Sequence, residues 1–186
     1  MITFIVVICI ILVVIVLLFI ALYNNLIKLR NRVDNAWAQV EVQLQRRFDL
    51  ILNVVETVKG YTQHEAGTLE AVTAARGAFM GAQSPEEKMD ASNMLQGTLK
   101  SLFAVAEAYP NLKANENYLE LQAELSSTED KISYMRQSFN DVVMAYNTGI
   151  QTFPAVLFAG MMGFSARKGF DSQEGAGSAP QVRFSA

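Results

Sequence analysis

The sequence predicts an all-α fold: an N-terminal transmembrane helix that continues into an up-and-down antiparallel four-helix bundle with long helices. Three observations predict it. Residues Ile2 to Leu22 form an apolar run of 21 residues broken only by Thr3. From Leu26 onward apolar residues recur every three or four positions, and no stretch alternates as a strand does. The links between helical stretches are short and marked by Gly, Pro and capping residues, which makes successive helices antiparallel neighbours.

The apolar run comes first. Twenty-one residues at about 1.5 Å each span roughly 32 Å, against a hydrocarbon core of about 30 Å. A cleaved signal peptide needs a basic start, a shorter apolar stretch and small residues at the cut. Here no basic residue precedes the run, which ends Phe19-Ile20-Ala21-Leu22-Tyr23, and a bulky Ile8 precedes Cys9, against a lipoprotein site. A retained single-pass anchor is the expectation. Lys28, Arg30 and Arg32 follow the run closely, so the positive-inside rule places the N-terminus outside and the bundle in the cytoplasm.

The first bundle helix carries Leu26, Leu29, Val33, Trp37, Val40, Leu44, Phe48, Ile51, Val55 and Val58, a spacing close to a coiled-coil seam. No Gly or Pro lies between Tyr23 and Lys59, so the transmembrane helix is expected to run straight into it as a stalk; Gly60 stands at the C′ position. Thr62 and Glu65 read as a capping box for a second helix through Leu69, Val72, Arg76 and Phe79 to about Met80. Ser84-Pro85-Glu86-Glu87 opens a third, with Ser at the N-cap, Pro at N1 and acids in the first turn. It carries Met94, Leu95, Leu99, Leu102, Phe103 and Val105, and Pro110 ends it. Asn115 caps the fourth, with Tyr118, Leu121, Leu125, Ile132, Met135, Phe139, Val142, Tyr146 and Ile150 on one side, closed by Pro154.

Residues 155–170 are apolar, too short to span a bilayer, and basic towards their end. They are expected on the membrane surface or against a neighbouring subunit, with folding back onto the bundle as the plain alternative. Residues 171–186 are small and polar and read as disordered. The chain thus divides into an anchor (1–23), a helical bundle (24–154), an apolar C-terminal segment (155–170) and a tail (171–186).

Composition removes several function classes. Residues 24–60 carry six Lys/Arg against four Asp/Glu, and residues 61–186 carry nine against fourteen. A weakly acidic body without a basic patch has no means of neutralising phosphates, so nucleic acid is not an expected partner. One cysteine, Cys9, and one histidine, His64, exclude a disulfide framework and a Cys/His metal cluster. His64-Glu65 resembles half of a zinc-protease motif, but Thr68 stands where the second His belongs, and no glycine-rich phosphate loop accompanies it as a kinase would require. His64 is therefore read as a solvated residue near a helix start. A di-iron bundle needs several Glu and Glu-x-x-His pairs, which a single His rules out. Arg46, Arg47 and Asp49 interrupt the first helix, while Glu129 and Arg136 lie near the fourth helix's stripe. They are expected to form an interhelical ion-pair network that fixes register and does no catalysis. Trp37 and the Tyr/Phe stripe read as core, with Met80, Met89, Met94, Met135 and Met144 as gap-fillers. No catalytic residue, cofactor site or metal site is expected, and no enzyme.

Several blocks together resemble the LemA family of bacterial membrane proteins. They are residues 29–37 (LRNRVDNAW), 42–47 (VQLQRR), 53–61 (NVVETVKGY) with His64-Glu65, 106–114 (AEAYPNLKA), Leu121-Gln122 with Leu125, Tyr146-Asn147 and Phe153-Pro154. The resemblance covers residues 1 to 170 and stops before the tail. It implies a single-pass anchor followed by an up-and-down bundle, with no assigned catalytic residues; relatives are associated with membrane invagination and with membrane protease systems. The family pattern places proline where Leu52 stands, so the first helix is expected to be straighter here.

The function expected is that of a non-enzymatic, membrane-anchored bundle that self-assembles as a scaffold or membrane-organising element. Its partners are then the lipid bilayer and further copies of the chain. The alternative is a monomeric adaptor that recruits another membrane protein, such as a protease.

Overall fold

The computed structural model describes residues 1–61 and 66–170. Helix α1 (Ile2–Lys59) is followed by α2 (Ala66–Gly81), α3 (Pro85–Glu107), the one-turn α4 (Pro110–Lys113) and α5 (Glu116–Gln151), then a 3₁₀ turn at Ala155–Leu157. Among the described residues there is no strand.

α1 is one unbroken helix of 58 residues, roughly 87 Å long. It passes through Leu52 without interruption, because leucine keeps the backbone N–H that proline would remove. Its two parts meet different surroundings. Every residue from Met1 to Ala21 is exposed. Beyond Tyr23 the three-and-four spacing turns one stripe inward: Leu26, Val33, Val40, Leu44, Phe48, Ile51, Val55 and Val58 are buried, with Leu29 and Trp37 packed at the edge. Gly60 follows the last turn, but in a right-handed conformation (φ −67°) with its N–H donating to the Thr57 carbonyl, so the left-handed cap that glycine permits is not used.

The other ends follow local chemistry. Ser84 Oγ accepts from the Glu87 N–H while Glu87 accepts from the Ser84 N–H, a reciprocal box with Pro85 at N1. Asn115 Oδ1 caps α5 by accepting from the Tyr118 N–H at 3.0 Å. Pro110 does not simply end α3: that helix has already stopped, and the proline opens α4, which buries Leu112. The box expected at Thr62 and Glu65 lies outside the described residues.

Cross-helix contacts establish the directions. Asn115 at the start of α5 bonds Tyr61 just past the end of α1, Arg46 meets Glu124, Trp37 meets Phe139, and Gly149 packs on Leu29 and Leu26. α5 therefore runs antiparallel to α1. The α2–α3 hairpin covers only the half of α1 far from the apolar run, for Phe79 stacks on Phe48 at 4.1 Å and Lys88 pairs with Glu41. The four-helix section is thus confined to that distal half. Nearer the apolar run only α1 and α5 remain, and residues 155–170 take the place of the missing helices.

That segment, expected on the membrane surface or against a neighbouring subunit with folding back as the alternative, turns one side onto its own bundle and leaves the other exposed. Ala155, Ala159, Phe164 and Phe170 are buried. Three of the expected gap-fillers also need correction. Met89 is buried and Met135 half-buried, but Met80, Met94 and Met144 are exposed. Each sits one position off its helix's inward row (Phe79, Leu95 and Val143 hold those places), and one residue is a turn of about 100°.

Candidate functional site

Two constellations stand out, one inside the four-helix section and one along the half nearer the apolar run. The first is built on Arg47, which lies in the buried row beside Phe48. Its side chain is 0% exposed. Nη1 donates to Glu129 Oε2 of α5 at 2.7 Å, and Nη2 donates to the Ser92 carbonyl and Oγ of α3 at 2.8 and 2.9 Å. Arg136, two turns further along the same face of α5, donates to the same Ser92 Oγ at 2.7 Å. Two guanidinium groups thus share one hydroxyl with a single half-exposed carboxylate nearby. Burial first, and the neighbouring Arg47 second, hold Arg136 below the usual arginine range, while Glu129 pulls the other way. Among the described residues the Nε atoms of both arginines lack a hydrogen-bond partner. The node ties α1, α3 and α5 together; what it does chemically is hold, since guanidinium donors saturate a hydroxyl, a carbonyl and a carboxylate.

The second constellation is a strap. Residues 164–170 lie in the groove between α1 and α5. Tyr23 meets Phe164, Asp34 meets Arg167 and Trp37 meets Phe170, so the strap runs parallel to α1. From Tyr23 to Trp37 is about 21 Å of helix, and six residues cover that only when fully extended. An extended segment must place its backbone groups somewhere. Asn147 accepts from the Arg167 N–H at 2.9 Å and donates to the Arg167 carbonyl at 2.8 Å. Asn140, two turns earlier on the same face of α5, does the same for Phe170 at 2.8 and 3.1 Å. Tyr146 adds a donor to the Ser165 carbonyl at 2.9 Å. Two side-chain amides therefore stand in for a neighbouring strand. Gly169 leaves the room, since a Cβ there would lie 2.6 Å from Asn140 Oδ1. The strap ends on an aromatic cluster of Trp37, Phe139 and Phe170, and Phe170 lies beneath the Arg136 guanidinium at 4.6 Å, which links strap to node.

Of the residues singled out from sequence, Arg47 and Glu129 pair directly and Arg136 joins them through Ser92. Arg46 reaches Glu124 at the surface, and Asp49 accepts from Gln45 one turn back, outside the node. Ser92 was missed; a serine in register with Leu95 and Leu99 was its signal. His64 and Glu65 lie outside the described residues. Among the described residues, no three His, Cys, Asp or Glu side chains are grouped to hold a metal ion.

Comparison with known proteins adds kinship. The model of the LemA family matches residues 36–184. The match runs past Phe170, where the resemblance was expected to stop, and leaves out the apolar run. A protein of Metamycoplasma hominis named Protein LemA is 28% identical over 134 residues, which is 70% of this chain. The chain spans 60% of that relative's length.

Proposed function

We propose, from the premise that this chain belongs to the LemA family, that it is a membrane-anchored bundle whose task is mechanical: it self-assembles as a scaffold that organises the membrane. The observation that carries the reading is α1, a single helix whose first third is apolar and uncovered and whose remainder is the bundle's core. A rigid helix common to both ties the orientation of the bundle to the bilayer. The chain carries the apolar run as a single-pass anchor, with the bundle on the cytoplasmic side where Lys28, Arg30 and Arg32 lie. Self-assembly is supported by the uncovered flank of α1 and by exposed Val42, Met94, Tyr134 and Met144 on the bundle. The node and strap read as structural devices in a protein that performs no catalysis.

One observation favours the alternative, a monomeric adaptor for another membrane protein. Part of the 155–170 segment, expected on the membrane surface or against a neighbouring subunit, is the strap, and it is clamped by its own Asn140 and Asn147. The mass of the gently extracted full-length particle, beside that of the chain lacking residues 1–24, separates the two. A large uniform assembly that falls apart on truncation supports the scaffold. A monomer in both forms contradicts it and favours the adaptor.

A further inference from the structure

Between the end of α5 and the strap, residues 152–163 form a collar around the membrane-proximal end of α1. It has two faces. Ala155 and Ala159 are buried against the bundle, while Phe153, Val156, Leu157 and Met161 are 79%, 50%, 60% and 87% exposed. Four large apolar side chains within nine residues, all turned outward, are costly to keep in water.

The position of the collar indicates what covers them. Phe158 meets Phe19 edge-on at 5.6 Å, and Phe164, just beyond the collar, meets Tyr23 at 5.8 Å. Phe19 lies three residues inside the end of the apolar run, or about 4.5 Å along the helix. The collar therefore sits at the level where α1 leaves the hydrocarbon, and it reaches past that boundary. Charge agrees. No Asp, Glu, Lys or Arg occurs between Asp141 and Arg167, and none precedes Lys28 on α1. The two uncharged stretches meet at this one end of the molecule, and Lys28, Arg30 and Arg167 follow on its far side, beyond the end of the apolar run. Gly163, at φ +77°, makes the left-handed turn that sends the chain back from the collar into the strap.

We propose that the collar is a second membrane contact, seated in the bilayer interface beside α1 with Phe153, Val156, Leu157 and Met161 among the upper acyl chains. Its occupant is lipid. The inference rests on the reading of α1 as a membrane anchor, and it adds a consequence. A lone helix is free to tilt and to rotate about its axis, whereas a helix with a collar on one side has a preferred azimuth and depth. The bundle is then held to the bilayer at two points.

Spin labelling tests this on the full chain with Cys9→Ser, reconstituted in vesicles of equal parts phosphatidylcholine and phosphatidylglycerol. Labels are placed singly at Leu157→Cys, Met161→Cys, Leu12→Cys within the span and Tyr134→Cys on the bundle. All four positions are exposed, so the fold tolerates them. Relaxation by oxygen, which concentrates in lipid, is compared with relaxation by a water-soluble nickel chelate. The expected result is oxygen exceeding nickel at 157 and 161, as at 12, with the reverse at 134. Nickel dominating at 157 and 161 while oxygen dominates at 12 overturns the collar and leaves the anchor standing. Nickel dominating at all four overturns both. Dipolar broadening at 157 or 161 that vanishes on dilution with unlabelled protein assigns the face to a second copy and also overturns the proposal.

Discussion

The two parts of α1 have the same secondary structure for different reasons. Residues 2–21 touch almost nothing else in the chain, and their side chains are mostly Val, Ile, Leu and Phe with little amphipathic pattern. β-branched residues are indifferent helix formers in water. In a bilayer they have no choice, because every backbone N–H and C=O must be satisfied within the segment. Residues 24–59 are helical because one stripe is buried against α2, α3 and α5 while the other faces stay polar. With the apolar run read as the anchor, one covalent rod is stabilised by lipid at one end and by its own chain at the other. A change in one part should leave the other nearly untouched.

The bundle half is most sensitive at the node. Arg47→Ala empties a fully buried position and takes from Glu129 and the Ser92 carbonyl their Arg47 donor, leaving Arg136 alone on the Ser92 hydroxyl, and should cost about 3–5 kcal/mol of bundle stability. Denaturant titration of the full chain in detergent measures it, with the helix signal of residues 2–21 surviving the transition. Next in size is a matched pair. Leu44→Ala empties a fully buried position and should cost about 2–5 kcal/mol, whereas Leu12→Ala, on the same helix and exposed, should stay within about 0.5 kcal/mol. Equal losses would mean that the span packs against protein after all.

A smaller effect separates the proximal half from the distal half. Removing both clamps with Asn140→Ala and Asn147→Ala should cost about 1–3 kcal/mol and release the strap, seen as faster amide exchange at Arg167 and Phe170 with α2 and α3 unchanged. The least is at a cap: Ser84→Ala should cost about 1 kcal/mol and fray only the first turn of α3.

How much of this was legible in the sequence depended on how local its cause is. The three-and-four spacing of Leu26 to Val58 carried α1, and Ser84 and Asn115 marked helix starts through bonds that close within three residues. Arg47 was visible as a charge in an apolar row. Ser92 was not, because a small hydroxyl in such a row is unremarkable until two arginines converge on it. Met94 and Met144 were misplaced for a related reason, since apolar character near a stripe does not fix which side of it a residue takes. The strap was the least legible. It has no periodicity of its own, and its backbone is satisfied by Asn140 and Asn147, 30 and 20 residues away in sequence. Nor did the short α2–α3 hairpin announce that it would leave the groove the strap fills.

The bilayer can orient the bundle only if α1 is one rigid lever from one to the other. Paired spin labels at Leu12→Cys and Val42→Cys, in the Cys9→Ser background and diluted with unlabelled protein, measure that directly by dipolar spectroscopy in vesicles. An unbroken helix puts the two backbones about 45 Å apart. A single narrow distribution near that distance is the result expected. A broad distribution, or a population many ångströms shorter, would mean that the rod bends between lipid and bundle, and would contradict the claim that the bilayer orients the bundle.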